Sequence, residues 1–292
     1  MTTLSSEVLI HVSALAIWGG AIRPSPISGT MVEYRGESGT IPAYLARPTD
    51  GGPRPAILVI HELFGLVDHT KDVASRIARE GYVALAPNLF ASRDLAEVLT
   101  PDAVQKAMQF MFRLPRRDPV LVEEELAKLP AEERAIVAPT VRQLIGGLPK
   151  DRLTKDLVAA VAYLRDQRFV VPDRIGSVGF CFGGGMSARV ACEGGIRACV
   201  IFYGENPTPI DRVRGIDGAV LGLYGADDVK INEHLDELVR AMVQFKKDFE
   251  IRIYPGAAHA FFNDTRGTTY REAAAKDAWD RVVRFYRRTL GA

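Results

Sequence analysis

Cys181 sits in Gly179-Phe180-Cys181-Phe182-Gly183-Gly184, a thiol flanked by glycines on both sides. Arg174 to Val178 before it reads as a buried strand, and Gly183 to Val190 after it as the start of a helix. Strand, Gly-x-nucleophile-x-Gly and helix make an elbow that presents one reactive side chain above a sheet, at a helix N-terminus. A thiol is a strong nucleophile only once deprotonated, and a helix N-terminus and a neighbouring imidazolium both favour the thiolate. Two later positions supply the partners this chemistry needs. Asp228 closes Tyr224-Gly225-Ala226-Asp227-Asp228 just after an apolar run, and His259 lies in Gly256-Ala257-Ala258-His259-Ala260-Phe261, beyond the last strand-like run. A histidine can take the thiol proton and hand one to a leaving group. A carboxylate fixes the histidine tautomer and stabilises its cation. Asp227 competes for that part; the fourth position of the Gly-x-x-Asp turn favours Asp228.

Three further groups have milder readings. Glu62 directly follows an apolar run, where burying a carboxylate demands a partner; a glutamate simply exposed in a loop is the alternative. Cys192 and Cys199 read as small core hydrophobes. His61 reads as a residue that orients its loop, and His11, His69 and His234 as surface or packing residues. There is no Gly-x-Ser-x-Gly, so a serine elbow has no candidate position.

These residues must be held by regular elements, and the chain supplies them in alternation. Ala56–Ile60, Tyr82–Pro87, Ala198–Tyr203 and Ala219–Tyr224 are short continuous apolar runs, the mark of strands buried on both faces. Helical spacing separates them over Asp68–Glu80, Arg152–Gln167, Asn232–Phe245 and Thr268–Leu290, and Phe249–Tyr254 is the last strand. Such alternation predicts a mainly parallel sheet with helices on both faces, whose reactive groups gather at the C-terminal strand ends. Met31–Arg35 and Ile41–Arg47 read as a hairpin at the sheet edge, where Pro42 is tolerated. From about residue 92 to 150 the pattern is purely helical: Pro101–Phe112, Val120–Leu129 and Ala131–Leu144, separated by prolines. This predicts a helical cap inserted in one domain, residues 29–292, with no convincing core of its own. Residues 1–28 read as an arm or extension, with Pro24–Thr30 a loop.

Bulk composition narrows the classes. Lys plus Arg is 37 against 36 for Asp plus Glu, so nothing invites nucleic acid or an anionic membrane. Three cysteines without CxxC suggest no zinc site and favour a reducing compartment. The apolar run Val8–Trp18 lacks a basic leader and is too short to span a bilayer. A cytoplasmic protein without metal or cofactor is the expectation, and a homo-oligomer is compatible with it.

At this point four separated motifs converge. The elbow, His61-Glu62-Leu63-Phe64-Gly65, Gly225-Ala226-Asp227-Asp228 and His259-Ala260-Phe261 together resemble the dienelactone hydrolase family of the α/β-hydrolase superfamily. The resemblance runs from about Val32 to Leu290, apart from the helical insertion. It implies an ester or lactone substrate, a triad of Cys181, Asp228 and His259, an acyl-enzyme, and an oxyanion hole from the backbone N–H groups of Leu63 and Phe182. It also implies that Glu62 contacts the resting cysteine. Family members that act on dienelactone hold the substrate carboxylate with two arginines. Here one of those positions is Asn263, and Arg93 lies about a residue from the other; Glu205, after a strand end, is a further candidate contact. Expectation therefore divides between an ester or lactone hydrolase, an esterase or thioesterase for neutral substrates, and a binding protein on the same scaffold.

Overall fold

The computed structural model describes residues 26–291 except Arg117, so most of the proposed N-terminal extension, residues 1–25, lies outside the described residues. Eight strands form one sheet in the order β1-β2-β4-β3-β5-β6-β7-β8. β1 (Ile27–Gly36) and β2 (Gly39–Pro48) pair antiparallel, and β2 pairs antiparallel with β4 (Val83–Pro87). The remaining neighbours are all parallel: β3 (Arg54–Ile60), β4, β5 (Val170–Phe180), β6 (Ala198–Phe202), β7 (Ala219–Gly225) and β8 (Phe249–Tyr254). β3 shows why its run is apolar throughout. Ala56, Leu58 and Ile60 join the core on one face, while Ile57 and Val59 join the core on the other.

Helices cover both faces. α1 (Asp68–Arg79) and α10 (Glu272–Leu290) pack into one core, burying Val73, Ile77, Val282 and Tyr286. α6 (Lys150–Arg165) and α7 (Phe182–Cys192) pack into the other through Leu153, Leu157, Met186 and Val190. α9 (Leu235–Gln244) joins that second layer with Leu238 and Met242, after the single turn α8 (Val229–Asn232).

Several local expectations are revised. β1 begins at Ile27, inside the segment read as loop, because Ile27 to Thr30 find a partner row in Leu45 to Pro48. The helix expected over 232–245 is interrupted, since the Asn232 side chain donates back to the carbonyls of Gly225 (2.8 Å) and Ala226 (3.2 Å). α10 starts at Glu272 and not at Thr268, because the Arg271 N–H donates to the Phe261 carbonyl (3.0 Å).

Between β4 and α6 lie α2 (Arg93–Ala96), α3 (Pro101–Arg113), α4 (Pro119–Ala127) and α5 (Ala131–Gly146). Prolines that punctuate the sequence here start helices: Pro101 and Pro119 are first helical residues, behind caps from Thr100 and Asp118. Against expectation, these helices enclose a cluster of their own, with Phe110, Met111, Val122, Leu126, Val137 and Val141 at its centre.

The elbow is the tightest place in the sheet. A Cβ on Gly179 would overlap the Gly183 carbonyl, and one on Gly183 would meet the Ile60 and His61 carbonyls. Substituting Gly179→Ala is expected to destabilise the fold by about 2 kcal/mol or more, the scale of core overpacking. Urea denaturation checks this; a midpoint equal to that of the parent protein would count against so close a packing.

Candidate active site

Cys181 occupies the single residue between β5 and α7, with φ 56° and ψ −119°. A non-glycine residue there costs about 1–2 kcal/mol, and local hydrogen bonds offset it. Its N–H donates to the Phe202 carbonyl (3.0 Å), and its carbonyl accepts from Gly184 (2.9 Å) and Gly185 (3.2 Å). The other two groups stand at neighbouring strand ends. Asp228 follows β7 and is buried, with its N–H on the Gly225 carbonyl at 3.2 Å. His259 lies on the loop after β8, and its Nδ1 is 2.6 Å from Asp228 Oδ2. Asp227 instead is exposed, its N–H bonded to the Ala257 carbonyl.

Burial alone would depress the His259 imidazole. The hydrogen bond to Asp228 and the Cys181 side chain beside it outweigh that and push its pKa up to about 10. With Nδ1–H donating to Asp228, Nε2 is left for the cavity that His259 lines with Cys181. That cavity holds about 460 Å³. Leu63 and Phe182 also line it, and neither backbone N–H has a hydrogen-bond partner among the described residues. The insertion roofs it with Met108, Met111, Leu144, Ile145 and Leu148. Tyr203 lines it too, fully buried at φ 39°, with its ring 5.0 Å from that of His259. Burial foremost, and then the charge of Glu62, push the Tyr203 phenol well up, so it stays protonated.

Glu62 is buried, and its hydrogen bond runs to Asn263: Asn263 Nδ2 donates to Oε2 at 2.7 Å. No hydrogen bond joins Glu62 to Cys181 among the described residues. Asn263 Oδ1 in turn accepts from Thr265 N and Oγ1, at 3.0 and 2.6 Å. Asn263 and Glu62 line a second cavity of about 440 Å³, shared with His69, Gln105 and Arg266 and reaching Met108 from the other side. Arg266 lies over the Phe64 ring there, 4.2 Å from its centroid. His69 is buried in that wall, with neither ring nitrogen hydrogen-bonded among the described residues. His61 ties the Glu62 loop to the chain after β4. Its Nδ1–H donates to the Glu62 carbonyl (2.6 Å), its Nε2 accepts from Leu89 N–H (3.1 Å), and burial lowers it to about 4.

Two expected substrate contacts fare differently. Arg93 points into solvent, 94% exposed and paired with Glu97, and reaches neither cavity. It begins α2, whose buried residue is Leu95, so the arginine falls on the outer face. Glu205 does line the Cys181 cavity, with Lys150 Nζ at 2.6 Å. Tyr203 and His69 are what sequence reading undervalued. Tyr203 stands two residues before Glu205 at a strand end, whereas no local pattern marks His69 as facing a cavity.

Comparison with known proteins agrees on one family. Residues 41–290 match the model of the dienelactone hydrolase family. A Saccharolobus solfataricus protein, named by inference a carboxymethylenebutenolidase, is 38% identical over 87% of this chain and 96% of its own. A Bradyrhizobium protein, named by inference a 2-oxo-3-(5-oxofuran-2-ylidene)propanoate lactonase, is 30% identical over 84% of this chain and 88% of its own. A crystal structure from Klebsiella pneumoniae, also named by inference a dienelactone hydrolase, superposes with a TM-score of 0.69 at 26% identity, covering 90% of this chain and 99% of that one. The fold is the α/β-hydrolase fold. No helix among the described residues is long and apolar enough to cross a membrane.

Two outcomes follow from this geometry. Asn263→Leu removes the donor on a buried carboxylate and is expected to lower stability by about 2–3 kcal/mol, read from urea midpoints; an unaltered midpoint would contradict the contact. The raised imidazole gives a pH signature. A histidine near 6.5 unfolded and about 10 folded stabilises the protein fully below 6.5 and loses that contribution as pH rises towards 10. The stability gap between the parent and Asp228→Asn should therefore be widest at pH 6 and close by about pH 10; a gap that widens with pH would refute it.

Proposed function

This chain belongs to the dienelactone hydrolase family, and from that premise we propose that it cleaves a carboxylic ester or lactone by nucleophilic attack of Cys181. It is a hydrolase of such substrates; the residues and the covalent step are our reading. The observation that carries it is a thiol on the elbow in one cavity with an imidazole held by a buried carboxylate. In this reading residues 29–292 act as one hydrolase domain, and the insertion at about 92–150 caps its cleft.

In this reaction His259 acts twice, first as acid and then as base. A protonated His259 and the N-terminus of α7 both stabilise negative charge at the sulfur. The sulfur adds to the substrate carbonyl, and the oxygen that gains charge is received by the N–H groups of Leu63 and Phe182. One such donor is typically worth about 3 kcal/mol of barrier. The intermediate collapses, the C–O bond breaks, and the departing oxygen takes a proton from His259. Once acylated, the sulfur carries no charge, so one cause that held the imidazole protonated is gone. His259, now neutral and oriented by Asp228, accepts a proton from water as the water attacks the thioester. The acid leaves and the thiol pair is restored. Glu62, tied to Asn263, contributes in this scheme through its charge near the site.

Cys181→Ala should lower kcat for p-nitrophenyl ester hydrolysis by at least about a thousandfold. Mass spectrometry of the parent protein, quenched during turnover, should show an acyl adduct on the peptide carrying Cys181. Turnover retained in the variant would remove the proposal.

A further inference from the structure

We infer that the group seated against Cys181 during the reaction is neutral and apolar, an aliphatic acyl chain, and that the helical insertion selects it. The inference rests on the proposed role of Cys181 and adds the substrate class. The roof of the Cys181 cavity is Met108, Met111, Leu144, Ile145 and Leu148, all from the insertion or its final turn into α6. Each presents hydrocarbon or thioether, which gains by covering an alkyl chain. The two methionines adapt to chains of differing shape.

Charge in the cavity points the same way. Apart from His259, the cation lining it is Lys150, and Glu205 neutralises it at 2.6 Å. Neither Asn263 nor Arg93 adds a cation to this cavity. Asn263 spends its amide on Glu62 and faces the other cavity, and Arg93 stands in solvent. Arg266 lies beyond Glu62, against Phe64. A carboxylate at the far end of the acyl chain would lose its hydration against the roof and meet no unpaired cation there among the described residues.

The test compares p-nitrophenyl hexanoate with the p-nitrophenyl monoester of adipate, of equal chain length but ending in a carboxylate. The parent protein should prefer the hexanoate by at least about tenfold in kcat/KM. Two roof variants, Ile145→Lys and Leu148→Lys, should each reduce that ratio at least about fivefold, since a lysine supplies the missing cation. Equal or reversed preference in the parent protein, or a ratio unmoved in both variants, overturns the inference. Calorimetric binding of methyl hexanoate and of monomethyl adipate to Cys181→Ala separates this from the proposed mechanism. Tighter hexanoate binding supports the inference even if Cys181 proves dispensable for turnover. Tighter adipate binding, or no binding of either ester, overturns it.

Discussion

The site depends on how closely unadorned backbone can approach backbone at the end of β5. Gly179 and Gly183 leave no space for a methyl group between the elbow, the end of β3 and the start of α7. Because those segments touch, Cys181 is forced into a left-handed conformation that its own hydrogen bonds retain. The same approach sets Phe182 at the head of α7 and Leu63 on the loop beyond β3 at one cavity, where neither N–H has a partner among the described residues. Asp228 and His259 then need only stand at the ends of β7 and β8. The loop positions that achieve this are themselves bent, with Gly256 at φ 68° and Ala260 at φ 64°. Three of the four non-glycine residues with positive φ among the described residues, Cys181, Tyr203 and Ala260, are at or beside the cavity.

What was legible in the sequence is what is encoded locally. An apolar run followed by Gly-x-Cys-x-Gly carries its own geometry, and parallel strands deliver the ends of β5, β7 and β8 to one edge whatever the details of packing. The contacts that escaped reading join distant residues. Nothing near Asn263 says that its amide lies on Glu62, 201 positions away. Arg93 was misplaced because a shift of one residue on a short helix turns a side chain from the cleft to solvent. The insertion looked coreless because its apolar residues are interleaved with charges along three short helices, and only their packing gathers them.

Two kinds of polarity thus lie on either side of the loop from Glu62 to Phe64. Towards Cys181 the polar groups are few, with Lys150 and Glu205 paired to each other, and the surface is mostly side-chain hydrocarbon. Towards Asn263 a buried carboxylate, a stacked guanidinium and the His69 imidazole, whose Nδ1 is 3.4 Å from Asp264 Oδ1, crowd together. Met108 borders both. His61, kept neutral by burial, pins the loop that divides them to the chain after β4.

The cluster inside the insertion has an evolutionary consequence. Phe110, Val122, Leu126 and Val141 stabilise the cap by touching one another and not the sheet. Mutations that reshape the roof therefore draw on a reserve separate from the one that keeps the elbow strained and aligned. Under the proposed mechanism, residues of the roof can be revised while the packing that shapes the elbow beneath them is left as it is.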